Sequence, residues 1–338
     1  MGAGPTPGRR VAPRGPPLTG ESRPLLSRVA DSVYWMARYI ERAENVARFI
    51  GVNLHLQLDL AGEGVNQWES IIDASGDEAI FKERVGDATQ DSVIRFLVFD
   101  AENPNSIFSC LRSGRENARS IRETISSEMW EQINSMYLRI QSRNSSLNFE
   151  SVPEFFRDIR MACHLFQGIT DTTMTHNEAW HFLRMGRKLE RADKSSRMLD
   201  VKYFMLLPSL SDVNTPFDDI HWSAVLKSVS GFEMYRKKYG RLSPRDIVAF
   251  LVLDAEFPRA IRYSVHMADQ SLHAITGTAP GYFQFRSEQL LGQLHADLDF
   301  AAVDAILNDG LHEFLDNLQA RLNTVDDNIR QEFFSRGQ

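Results

Sequence analysis

Between residues 27 and 58 the apolar positions Val29, Val33, Met36, Ile40, Ala47, Gly51 and Leu54 recur at close to 3.6 residues, which predicts one long helix. With Ile40 at zero and 100° per residue, Val29, Val33, Met36 and Ala47 fall within about 40° of it, and so does Glu44. Arg38, Arg42 and Asn45 lie opposite, with Tyr34 and Phe49 among them, and Glu41 falls between the two faces. A second stretch repeats the pattern. Asp193 lies with Phe182, Met185, Gly186 and Leu189, while Arg187 and Arg191 lie opposite. A carboxylate inside an apolar stripe costs several kcal/mol if it is unpaired, so each needs a partner. Arg48 and Arg197, one turn on, are local candidates, and an arginine from another helix is the alternative.

The remaining segments also read as helix. The stretch "TQDSVIRFLVFDAE" opens with capping residues, turns apolar and must end or bend near Asn103, before Pro104. Pro104 is placed to open a helix running on toward Ile140, and Pro258 to open a matching one. Residues 151–174 form a further helical segment, and no pair of strands with hairpin turn signals is present. The expected fold is all-α, an elongated helical bundle.

The chain also resembles itself. "RYIERAEN" (39–46) returns as "RKLERADK" (187–194), so that Glu41 aligns with Glu190, Arg42 with Arg191 and Arg48 with Arg197 at an offset of 149. "FLVFDAENP" (96–104) returns as "FLVLDAEFP" (250–258) at an offset of 154. A period this long implies two related halves rather than a solenoid. The expected division is an N-terminal extension, disordered or non-native, over 1–24; a first repeat over 25–142; a helical bridge over 143–172; and a second repeat over 173–338.

Two charged motifs are the candidates for chemistry. The first comprises Arg38, Glu41, Arg42 and Glu44 with Arg187, Glu190, Arg191 and Asp193. The second is Asp-Ala-Glu-x-Pro, giving Asp100 and Glu102, then Asp254 and Glu256. Acids at a helix junction suit the unpaired N–H groups of the following helix. They can equally receive the arginines of the first motif. Three readings stay open: buried ion-pair locks, the lining of a ligand or catalytic cleft, or solvated surface charge.

Composition narrows the function classes. A net charge of −7 argues against nucleic acid as the main ligand. No apolar run is long enough to span a bilayer, and the first 24 residues lack the apolar core of a secretion signal. Cys110 and Cys163 make no CxxC pair, which fits a reducing cytosol and two buried thiols rather than a disulfide scaffold. Glu178-Ala-Trp-His181 meets the Glu-x-x-His spacing of di-iron bundles, and 218–221 and 309–312 meet it only with Asp first; no metal or other cofactor is expected. Neither phosphate-loop pattern occurs, nor GxSxG nor HExxH. His55, His164 and His266 read as satisfying local hydrogen bonds.

The segment "LLSRVADSVYWMARYIERAENVARFIGVNL" resembles the opening of the alpha-E domain family, a bacterial all-helical family. "FLRMGRKLERADKSSRMLDV" and "FLVFDAENPNSI" resemble it too, and the likeness covers about residues 25–330. Such genes commonly neighbour, or are fused to, a circularly permuted ATP-grasp protein and often a transglutaminase-like cysteine peptidase. The resemblance implies a cytoplasmic accessory role in ATP-dependent peptide synthesis or tagging, with an ATP-grasp ligase as partner and a transglutaminase-like protein as a second candidate partner. The rivals are an independent enzyme of amide chemistry using Glu41, Glu190, Asp100 or Asp254, and a purely structural scaffold.

Overall fold

The computed structural model describes residues 25–59, 67–143, 152–206 and 216–335. The Pro- and Gly-rich first 24 residues lie outside this set, as does the side chain of His55. Every regular element among the described residues is helical. In chain order these are α1 (Ser27–Asp59), α2 (Gln67–Ser75), α3 (Glu78–Arg84), α4 (Gln90–Ile94), α5 (Ile107–Ser120), α6 (Ser127–Arg143) and α7 (Val152–Thr173). There follow α8 (Glu178–Leu206), α9 (Pro216–Ser228), α10 (Phe232–Tyr239), α11 (Pro244–Val248), α12 (Ile261–Thr276), α13 (Arg286–Phe300), α14 (Val303–Asp309) and α15 (Leu311–Ile329). No helix among the described residues is long and apolar enough to cross a membrane.

Helices α1 and α8 form the centre. They pack on each other, α1 also packs on α5 and α7, and α8 on α12 and α15. Their contact is close because of Gly186: a Cβ there would stand 2.6 Å from the Tyr34 carbonyl oxygen. Val33, Met36, Ile40 and Ile50 of α1 and Met185, Leu189 and Leu199 of α8 are buried in one continuous apolar core. The polar sides of both helices are buried as well, including Arg38, Asn45, Arg48, Arg187 and Lys188. The two-faced pattern of the sequence therefore does not mark a solvent side; it marks which neighbour each side meets.

Two expected helix boundaries move. Thr89 caps α4 by accepting from the Ser92 N–H, and α4 widens into a π-helical turn, Arg95–Phe99, that ends at extended Asp100 rather than at Asn103. Pro104 lies in the turn before α5 instead of opening it, because Ser106 is the cap and accepts from the Ser109 N–H at 3.1 Å. The helix expected to run on toward Ile140 breaks over residues 121–126, without proline or glycine, and α6 packs back on α5. Around 244–261, Ser243 caps α11, a π-helical turn Ala249–Leu253 follows and ends at extended Asp254, and Pro258 lies in the turn before α12. Both cysteines are buried and free.

Candidate functional site

The Glu-Arg pairs of α1 and α8 exchange partners across the helix contact. Arg191 donates from Nε to Glu41 Oε1 at 2.8 Å and from Nη2 to Oε2 at 2.6 Å. In return Arg42 donates from Nε to Glu190 Oε1 at 2.7 Å and from Nη2 to Oε2 at 3.1 Å. Both are two-pronged guanidinium–carboxylate contacts, the strongest geometry for such a pair. Both glutamates are 0% exposed.

Each pair is reinforced. Around Glu190, Arg38 donates from Nε at 2.9 Å and also pairs with Asp326 of α15, which accepts from the Tyr34 hydroxyl too. Arg42 gives its other nitrogen to Asn105 at 2.6 Å, and Asn105 donates to Asp77 at 2.6 Å. Around Glu41, Glu44 is the second carboxylate. It accepts from Arg48 Nε at 3.0 Å and Nη2 at 2.6 Å, from Arg259, and from Gln167 of α7 at 3.0 Å. The His164 Nε2 stands 2.8 Å from it. Thus Arg48 fills the local role expected for Glu44, and the second arginine, Arg259, comes from the turn before α12 rather than from another helix. Asp193 is held by Arg197 Nε at 3.1 Å and by Lys194 at 3.3 Å.

Electrostatics follow from the pairing. Burial alone would push the Glu41, Glu44 and Glu190 carboxyls up. Arg191 overrides it at Glu41, Arg259 with His164 at Glu44, and Arg42 with Arg38 at Glu190, so all three are held below the ordinary carboxylate range. Enclosed and ionised at neutral pH, they are poorly suited to take or give a proton in a reaction. Both thiols are raised, chiefly by burial, Cys110 to about 12.

The Asp-Ala-Glu-x-Pro acids lie apart from this network and do not receive its arginines. Asp100 accepts the Glu102 N–H at 2.9 Å and pairs with Arg84 at 3.0 Å; Glu102, with an 82% exposed side chain, pairs with Arg84 at 3.1 Å. Asp254 accepts the N–H groups of Glu256 and Phe257 at 2.8 and 2.7 Å and pairs with Lys238 at 2.6 Å, while Glu256 is exposed. These acids shape the turn after each π-helical segment. What the motif does bring to the centre is the residue after its proline, Asn105 or Arg259. Glu178 accepts from the Leu25 N–H at 3.1 Å, and among the described residues no group of three or more His, Cys, Asp or Glu is arranged to hold a metal ion.

An all-helical chain closed around two Glu-Arg pairs is the class of protein that these features define. The alpha-E family, described as a predicted alpha-helical domain with a conserved ER motif, matches residues 25–334, and the chain belongs to it. Uncharacterized proteins of Mycobacterium bovis and of two Mycobacterium tuberculosis strains are 22% identical over 328 residues, 89% of this chain. That match spans only 36% of those relatives' length. No solved structure gives a significant match.

Proposed function

We propose that the chain is an accessory, non-catalytic helical protein of an ATP-grasp-linked peptide synthesis or tagging system, built from two copies of one helical unit. In this reading the exchanged Glu-Arg pairs lock the copies together, and the protein's outer surfaces meet the ligase or its peptide-like substrate. The observation that carries the non-catalytic part is the state of Glu41 and Glu190, fully enclosed, two-pronged to arginine and held ionised. A general acid or base needs access to substrate and a pKa near the working pH. The duplication is supported by the repeated order of short α-helix, π-helical turn and non-helical turn at 90–106 and 244–260, and by the sequence motifs that recur at the similar offsets of 149 and 154.

The ligase partnership rests on family membership and on what the family's usual gene neighbours imply. The mycobacterial relatives, with most of their length outside the match, accord with a domain that works joined to others. The test is co-expression with the ATP-grasp protein of the same genome. One eluting complex, and ADP release that depends on this chain, is expected. Separate elution at low salt, with ADP release unchanged by this chain, would overturn the reading.

A further inference from the structure

Arg38 and Arg187 occupy matching places in the two Glu-Arg helices, and their surroundings differ. Arg38 is satisfied by two carboxylates, Glu190 and Asp326. Arg187 is 9% exposed; among the described residues its buried Nε has no hydrogen-bond partner and its one ion pair is to the half-exposed Asp171 of α7, at 3.7 Å. The next residue is Lys188, 6% exposed, whose Nζ lies 4.6 Å from the Tyr263 ring centroid and makes no hydrogen bond or ion pair among the described residues. Arg184, one turn earlier, binds neutral groups, including Gln270 Oε1 at 2.9 Å. Residues 184, 187 and 188 share one side of α8, where the carboxylates near the cations are Asp171, 3.7 Å from Arg187, and Glu41, which is already held by Arg191.

Buried cations without counter-charge are costly and are normally paired. We propose that Arg184, Arg187 and Lys188, backed by Tyr263, form a binding site for an anionic group, a carboxylate or a phosphate, supplied by another molecule. The aromatic ring and the guanidinium groups suit a planar or tetrahedral anion at the α8–α12 seam. The site stands independently of the ligase partnership.

The groups facing Lys188 are Arg184, Arg187 and Arg191 on its own helix, Glu41 on α1 and Tyr263 on α12, with Asp171 of α7 beside Arg187. Burial, then Arg191, Arg187 and Arg184, lowers the Lys188 amine to about 6. A bound anion reverses that balance, so binding at neutral pH takes up a proton.

Isothermal titration calorimetry at pH 7 tests this, with inorganic phosphate and with tri-alanine bearing its free C-terminal carboxylate, each in two buffers of different ionisation heat. Expected are saturable binding of at least one probe, proton uptake, and in Lys188→Met loss of the uptake with roughly ten-fold weaker binding. Whichever probe binds assigns the ligand class. Because Lys188→Met replaces a buried amine that has no hydrogen-bond partner among the described residues by an apolar side chain of similar length, it melts no lower than the parent, which separates lost binding from lost fold. Arg187→Gln, with the same loss of affinity, is the second variant. Absence of binding by both probes at millimolar concentration overturns the site. So does binding that takes up no proton and persists unchanged in both variants.

Discussion

Replacing Glu190 by glutamine removes one negative charge from between two guanidinium groups. The carboxylate accepts three hydrogen bonds, at 2.9 Å from Arg38 and at 2.7 and 3.1 Å from Arg42. The amide keeps the shape and one acceptor oxygen, but turns an N–H group toward donors. Arg38 retains Asp326 and Arg42 retains Asn105, so neither arginine is stripped completely. Removing one member of a buried pair costs about 3–5 kcal/mol, against about 0.2–1 kcal/mol for an exposed pair. For a chain of this size that corresponds to a melting temperature lower by roughly 4–7 °C. The assay is thermal and urea unfolding of parent, Glu190→Gln and Glu102→Gln, the last being the exposed control. A Glu190→Gln protein within about 1 kcal/mol of the parent would refute the assignment of Glu190 to a buried lock.

Other consequences follow from the same geometry. Gly186→Ala puts a Cβ 2.6 Å from the Tyr34 carbonyl oxygen, a contact that backbone must move to relieve; a loss of about 1–3 kcal/mol is expected, and unchanged unfolding would contradict the close α1–α8 approach. The folded pKa values of Glu41, Glu44 and Glu190 are depressed, so their contribution is present above about pH 4.5 and lost as pH falls through the folded values. The melting temperature should therefore fall steeply below pH ~4.5, with the gap to Glu190→Gln narrowing; a gap constant with pH would count against the charge pairing. Lys188 runs the other way. With its amine at about 6 against an ordinary 10.5, the folded state binds fewer protons between those values, so its burial costs stability there and the cost relaxes as pH rises toward 10. Lys188→Met should stabilise the ligand-free protein at pH 7 by up to ~4 kcal/mol, with the gain fading by pH 10; a destabilised variant would show that the ammonium has a partner.

The periodicity around Ile40 marked α1 and placed Glu44 among apolar residues, and one-turn spacing was enough to name Arg48 and Arg197 as partners. The repeat of Glu-Arg at 41–42 and 190–191 flagged the four residues that exchange partners. The exchange itself was hidden, since helical angles fix which side a residue takes but not which helix will cover it. Arg259 was legible in part, standing where the first Asp-Ala-Glu-x-Pro motif is followed by Asn105. The motif's acids carry the more conspicuous charge pattern, yet they serve their own turns. His164, Gln167 and Asp326 carried no local signal, because they arrive from α7 and α15 by tertiary packing alone. Pro104 misled for a physical reason: proline suits a first helical turn, but Ser106 offered the capping oxygen two residues later. The break at 121–126 has neither proline nor glycine to announce it.

The central claim is that the Glu-Arg pairs couple α1 to α8 energetically. A double-mutant cycle on Arg42→Met and Glu190→Met, read by urea unfolding, tests it most directly. Each single variant leaves its buried partner with one opposite charge fewer, whereas the double variant removes both members of the pair. The account predicts that the double variant is more stable than the sum of the singles by about 2–3 kcal/mol. Additivity within about 0.5 kcal/mol would contradict it.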